Sequence, residues 1–237
     1  MSDVRVFDDK NLLAKAAARQ AVEILNEAIE IYGSAVWVLS GGSTPLSAYE
    51  LIAKYKDDVD WPKVTLVMGD ERIGRLDGPD SNWHAINRIL GALPTEKLRP
   101  LSDQSAENAA KNYSLQLGDL PKIKNGLPRL DLVWLGVGDD GHTLSIFPGH
   151  DSLLPTNDLV IPIHDSPKPP TDRISLSLRA LQGAINVMIL VAGADKKAAV
   201  AASQINGQTP VGLATNIVET HGGTVHWLID ADAAPTD

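Results

Sequence analysis

The sequence predicts an α/β fold, a doubly wound and mostly parallel sheet with helices on both faces. Two observations carry this. Several short segments are apolar at every position, as strands buried on both faces are. Helical patterns stand between them, as parallel crossovers require. No repeat or low-complexity block interrupts the 237 residues, so a single domain spanning 1–237 is expected.

VRVF (4–7) reads as a short first strand. Residues 10–32 read as a helix: Leu13, Ala17, Ala21, Ile24, Ala28 and Ile31 recur at gaps of four and three, and Gly33 stops the run. AVWVLS (35–40) is the next strand, and a helix follows from Pro45, a residue suited to the first helical position. VTLVMG (64–69), DLVWLG (131–136), LVIPI (159–163), RISLSL (173–178), VMILVAG (187–193) and VHWLI (225–229) complete the strands. Helical patterns lie near 80–91, 105–117 and 194–205. Residues 118–130 read as a surface loop and the tail after Asp230 as a frayed end.

Composition narrows the function. With 30 acidic and 21 basic residues the net charge is −9, which disfavours nucleic acid and anionic membranes as partners. A small anion remains compatible, because a few local bases and backbone N–H groups reverse the field inside one cleft. No apolar run reaches the roughly 18 residues of a membrane span. The chain has no cysteine, which excludes disulfides, thiolate metal sites and cysteine nucleophiles. The N-terminus lacks a secretory pattern, which together with the absence of cysteine predicts a cytoplasmic protein; the sequence leaves the oligomeric state open, with a monomer favoured.

In doubly wound sheets ligands bind beyond the carboxyl ends of the strands, which selects the loops 40–45, 69–82, 136–149, 163–173 and 193–197. Ser40-Gly41-Gly42-Ser43-Thr44-Pro45 joins a buried strand to a helix and suits a phosphate, although the same residues also make a tight turn with a hydroxyl cap. Gly69-Asp70-Glu71-Arg72, followed by Asp80-Ser81-Asn82, sets charged residues at a strand end: either a cleft wall or a solvated loop. Lys168 and Arg173 flank a proline-stiffened segment, and Lys196 stands near a helix start beside Lys197, which reads as solvated.

The loop after DLVWL holds a literal G-x-G-x-x-G at Gly136, Gly138 and Gly141. A dinucleotide site needs the first strand of a βαβ unit and a long helix after the third glycine. Here Pro148 and Gly149 intervene, and other strands precede the match. The turn instead presents Asp140 and His142. An imidazole with a pKa near about 6.5 is a natural general base, and a carboxylate beside it fixes its tautomer. No G-x-S-x-G nucleophile accompanies it, which points to activated water. No third metal ligand stands at a convincing spacing. His84, His150, His164, His221 and His226 lack this context and read as structural or surface.

Taken in order, L-S-G-G-S-T-P, G-D-E-R with D-S-N, G-x-G-x-D-G-H-T-x-S-x-F-P-G and P-K-P-P-x-x-R-I-S resemble the 6-phosphogluconolactonase family, over about residues 35–200. The resemblance implies hydrolysis of 6-phospho-D-glucono-1,5-lactone to 6-phosphogluconate without metal or organic cofactor. It places the family histidine on His142 and its aspartate on Asp140. The phosphate loop falls on Gly41, Gly42, Ser43 and Thr44. Asp70, Arg72 and Asn82 join the substrate side, as do Lys168, Arg173 and Lys196, the last matching a lysine better established in the related deaminases. The expected partner is a small anionic sugar-phosphate lactone. Oxyanion donors are expected from N–H groups in residues 138–141 or from Arg72. Two alternatives stand beside this: an amino-sugar phosphate deaminase, whose glutamate shortly after the histidine is missing at Phe147-Pro148-Gly149, and a non-catalytic sugar-phosphate sensor.

Overall fold

The structure, a computed structural model, describes residues 2–123 and 125–235. The elements are β1 (Asp3–Phe7), α1 (Lys10–Tyr32), β2 (Ala35–Leu39), α2 (Ser43–Ile52), β3 (Val64–Met68), β4 (Asp70–Arg72), α3 (Asn82–Leu90) and β5 (Glu96–Leu98). They continue as α4 (Ala106–Gly118), β6 (Leu130–Gly136), β7 (Val160–Ile163), β8 (Arg173–Leu176), β9 (Ala184–Val191), α5 (Lys197–Asn206), α6 (Pro210–Thr220) and β10 (Thr224–Asp230). The first helix runs where the periodicity places it. Asp9 caps it by accepting from the N–H groups of Asn11 and Leu12, and Gly33 ends it in the left-handed region at φ 78°.

Seven strands form a parallel sheet in the order β1-β10-β9-β6-β2-β3-β5. The chain winds outward from β2 to β5, returns to β6, then winds the other way through β9 to β10. For this strand order the right-handed crossover rule puts α1, α2 and α3 on one face and α4, α5 and α6 on the other, and consecutive helices α1–α2, α2–α3 and α5–α6 touch. Strand β2 is buried at all five positions, which is why its sequence does not alternate. One contiguous apolar cluster runs from Leu13 to Ala233. Among the described residues no helix is long and apolar enough to cross a membrane.

Four sequence expectations need correction. LVIPI and RISLSL do not join the parallel sheet. They pair antiparallel as β7 and β8 and, with β4, make a separate three-stranded sheet. The connection from Ile163 to Arg173 contains no helix and is too short for a parallel crossover, which takes roughly a dozen residues. The second helix begins at Ser43, so Ser43 and Thr44 belong to its first turn. Helix α6 and the short strands β4 and β5 were not foreseen. The tail is not frayed as far as it is described. Ala233 is fully buried because the Asp230 carboxylate accepts from its N–H at 2.9 Å and turns the chain back onto the core. Residue 124 of the 118–130 loop and residues 236–237 of the tail lie outside the described residues.

The junction of β4 and α3 depends on Glu71, which is fully buried. Its Oε1 accepts from the N–H groups of Arg72 and Asn82, both at 2.8 Å. Its Oε2 accepts from Trp83 N–H at 2.6 Å and from the Ser81 hydroxyl at 3.1 Å. A carboxylate at the start of α3 satisfies open N–H groups and meets the positive end of the helix dipole. Each buried donor left without an acceptor costs roughly 1–3 kcal/mol. Glu71→Ala is therefore expected to lower the unfolding free energy by about 3 kcal/mol or more in urea titrations, and Glu71→Gln by less. A loss below about 1 kcal/mol for the alanine variant overturns this role for Glu71.

Candidate active site

Strands β2 and β6 pair only at Trp37 with Leu132 and Val38 with Val133, whereas β6 follows β9 as far as Gly136. Past Val38 the two central strands part, at the point where the winding direction reverses. A cleft of about 270 Å³ lies there. The first loop leaves β2 from a fixed point. The Tyr49 hydroxyl accepts from Ser40 N–H at 3.0 Å and donates to Ser40 O at 3.1 Å. The Tyr49 ring in turn stacks on Trp134, with centroids 4.9 Å apart, and meets Trp37 edge-on at 5.6 Å. A Cβ on Gly41 would lie 2.1 Å from Asn82 Oδ1, so only glycine lets the loop and α3 approach this closely. No side chain caps α2, and its third residue, Pro45, has no N–H. The N–H groups of Ser43 and Thr44 are left to meet a ligand at the positive end of the helix.

On the other side of the gap, the loop after β6 folds back on itself. Gly138 N–H donates to His142 O at 2.8 Å and Gly141 N–H to Gly138 O at 3.0 Å. The imidazole lies against Gly138, where a Cβ would stand 1.9 Å from its Nδ1. Asp140 Oδ1 accepts from His142 N–H at 3.0 Å and sits 2.5 Å from Nδ1. The ring rests on buried Phe147, centroids 4.6 Å apart. Among the described residues Nε2 has no hydrogen-bond partner, and His142 lines the cleft. Burial pushes the imidazole below its ordinary pKa and Lys168 acts the same way, while Asp140 and Asp70 pull it back up. Burial also works to raise the Asp140 carboxyl, but the His142 donors and the Lys168 charge outweigh it and hold it below the usual range.

Strand β4 sorts the G-D-E-R residues by its period of two. Asp70 and Arg72 face the cleft, and Glu71 points the other way into the α3 junction. Asp70 is buried and bound: its Oδ2 accepts from Ser145 Oγ at 2.7 Å and its Oδ1 from Asn82 Nδ2 at 3.2 Å. Arg72 Nη1 donates to Asp80 O at 2.6 Å, while its Nε is buried without a partner among the described residues.

The cations arrive from the far loops. Arg173 is 3% exposed and spends its donors on its own loop: Nε to Pro170 O at 2.9 Å, and Nη2 to Lys168 O at 2.7 Å and Pro169 O at 3.3 Å. Only Nη1, 3.4 Å from Ser145 Oγ, is turned toward the cleft side of this network. Burial and the Arg72 charge lower its pKa, and Asp70 opposes them. Lys168 reaches across the mouth to the Asp139 carboxylate, which this contact holds below its ordinary value. Lys196, in the turn before α5, pairs with Asp195 at 2.9 Å and lines the cleft, whereas Lys197 does not.

The structure thus brings the expected residues together. Gly41, Gly42, Ser43, Thr44, Asp70, Arg72, Asn82, His142, Lys168, Arg173 and Lys196 all line the one cleft, and Asp140 stands behind His142. Four basic side chains converge there within a chain of net charge −9. Three points differ from the sequence reading. The N–H groups of Gly138 and Gly141 are committed to the turn and are not free oxyanion donors. A third candidate metal ligand, Asp139, does lie beside Asp140 and His142, all three ligand atoms within 4.8 Å of one another, but its carboxylate already holds the Lys168 ammonium. Ser145, the link between Asp70 and Arg173, was missed. The signal was a hydroxyl set between apolar Leu144 and Ile146, a position that needs a buried partner.

With this geometry established, likeness to known proteins bears on the chain. The family model for glucosamine-6-phosphate isomerases/6-phosphogluconolactonase matches residues 8–227. The 6-phosphogluconolactonase of Mycobacterium tuberculosis is 31% identical over 98% of this chain and 97% of its own length. That of Streptomyces coelicolor is 34% identical over 97% of this chain and 92% of its own. The crystal structure of 6-phosphogluconolactonase from Leishmania guyanensis matches with a TM-score of 0.86 at 27% identity, covering 98% of this chain and 97% of that one. The chain therefore belongs to the glucosamine-6-phosphate isomerase/6-phosphogluconolactonase family.

Proposed function

We propose that this protein hydrolyses 6-phospho-D-glucono-1,5-lactone to 6-phospho-D-gluconate, as a single cytoplasmic domain and without a metal or organic cofactor. One observation carries the reading: an imidazole backed by a carboxylate, Asp140–His142, shares a cleft with an uncapped helix N-terminus and four cations. The first group suits activation of water and the second suits a phosphate, the two ends of such a substrate. The names of the relatives support it. The deaminase reaction of the same family is disfavoured because Pro148 and Gly149 follow Phe147 with no carboxylate.

With Nδ1–H on Asp140, the lone pair of His142 is on Nε2, on the cleft side. It takes a proton from water as the water oxygen bonds to the lactone carbonyl carbon. The carbonyl electron pair moves onto oxygen. When the carbonyl reforms, the ring C–O bond breaks and the imidazolium returns its proton to the ring oxygen. Ser43 and Thr44 N–H groups, with Arg72, Lys168, Lys196 and the remaining Nη1 of Arg173, hold the phosphate and so fix the distant carbonyl against Nε2. Lys168 exchanges Asp139 for the incoming phosphate, and Arg173 keeps the loop that carries it in place. Gly41, Gly42, Asp70 and Asn82 shape the wall between the two ends.

The decisive test is hydrolysis of freshly generated 6-phosphogluconolactone, with the spontaneous reaction subtracted. His142→Ala is expected to lower kcat roughly 10²–10⁴-fold with unchanged circular dichroism, and activity within a few-fold of wild type defeats the assignment. The free base is the active form, so kcat/KM rises with pH through the His142 pKa, and burial places that limb below about 6.5. Asp140→Asn removes a charge that supports the imidazolium. It is expected to shift the limb to lower pH and to lower the plateau by less than His142→Ala does. A limb that stays in place means the carboxylate is not coupled to the base.

Two further outcomes are expected. Lys168→Ala raises KM for the phosphorylated lactone about tenfold or more, as the loss of a charged hydrogen bond does, and leaves gluconolactone without phosphate unaffected. Equal losses on both substrates would show that Lys168 serves the loop rather than the phosphate. Dialysis against EDTA leaves activity unchanged. Loss restored by a divalent metal would assign Asp139, Asp140 and His142 to an ion instead.

A further inference from the structure

Thr143 follows the imidazole directly in the chain. It is 1% exposed, it lines the cleft, and among the described residues its Oγ1 has no hydrogen-bond partner. A buried hydroxyl without a partner costs stability, and valine fills the same volume without that cost. The other orphaned donors differ. The indole N–H groups of Trp37 and Trp134 sit in the core cluster and do not line the cleft. Arg72 keeps an unpaired Nε but is tied to Asp80 through Nη1. Meanwhile three amides of this loop are spent: Gly138 on His142 O, Gly141 on Gly138 O, and His142 on Asp140. Three N–H groups of the loop that presents the base are thus unavailable to a developing oxyanion, and the same loop carries one buried hydroxyl with no use inside the protein among the described residues.

We propose that the Thr143 hydroxyl donates the hydrogen bond that stabilises the lactone carbonyl oxygen as it becomes an oxyanion, an inference that rests on the lactonase reading above. Water gives its proton to His142 Nε2 and its oxygen to the carbonyl carbon, and the π pair settles on the carbonyl oxygen facing Thr143. Thr143 keeps its proton throughout. When the C=O bond reforms the ring C–O bond breaks, and the Nε2 proton passes to the ring oxygen. Such a donor works on the transition state more than on bound substrate, so its removal lowers kcat and leaves KM nearly alone.

The test compares wild type, Thr143→Val and Thr143→Ser in the stopped lactone assay, with kcat and KM measured separately and thermal melts recorded. Thr143→Val is expected to lose about 10²-fold in kcat, with KM within a few-fold and a melting temperature equal to or above wild type. Thr143→Ser keeps the donor and retains most of kcat. A valine variant with near-wild-type kcat overturns the inference. So does one that loses kcat together with melting temperature while the serine variant behaves alike, since that is a packing defect. Wild-type protein that does not accelerate lactone opening overturns the lactonase reading itself, and this inference with it, whereas active wild type with an equally active valine variant overturns only the role of Thr143.

Discussion

The site exists because β2 and β6 stop pairing after Val38. Two neighbouring strands in a parallel sheet run side by side, but the chains leaving them at a winding reversal must turn to opposite faces. That divergence leaves backbone ends unpaired and space between them. Each side fills the space differently. The β2 side contributes a helix end with free N–H groups, fixed through Tyr49 to the aromatic cluster below. The β6 side contributes a tight turn whose internal hydrogen bonds hold an imidazole. A helix end suited to an anion and an imidazole suited to base chemistry thus stand on opposite sides of the crevice, as the proposed substrate, with a phosphate at one end and an ester at the other, requires.

Charge in the cleft is arranged by burial as much as by sign. Asp70 sits among the cations, yet its oxygens are taken by Ser145 and Asn82, so it organises the wall. Arg173 is similarly turned inward, gripping three carbonyls of the loop that carries Lys168. Lys168 and Lys196, the more exposed bases, each rest on a neighbouring carboxylate. The inner charges are fixed and the outer ones exchangeable. A protein of net charge −9 thereby keeps a positive interior without exposing a basic surface.

Most of this was legible in the chain. Uniformly apolar strands and the α1 periodicity gave the main sheet, and strand-end loops located the residues that line the cleft, because parallel topology makes position along a strand a statement about the cleft. What escaped has identifiable causes. β7 is nearly as apolar as a core strand because it packs on α4, whereas β8 alternates Arg173 and Ser175 with Ile174 and Leu176, a period of two that fits the separate antiparallel sheet and was passed over. Glu71 stands among cleft residues in the sequence and behaves oppositely, because three residues of strand suffice to point it away. Ser145 and the committed amides of residues 138 and 141 depend on contacts across the fold, which no local pattern encodes.

Asp230 ends β10 and binds two distant amides: Gly193 at 3.1 Å, in the turn that leads to Lys196, and Ala233 at 2.9 Å. Residues 230–233 are by this route a brace for one side of the cleft. Proteolytic trimming that stops beyond Ala234 would leave that brace whole. Removal of Ala233 would take away a buried side chain and one of the carboxylate's two backbone anchors, loosening the turn beneath Lys196. His142, on the other loop, would keep every contact it has. Under the proposed function, a chain nicked there would still carry its base but hold the sugar phosphate less firmly, so loss of Ala233 would register as a change in affinity before it registered as a change in chemistry.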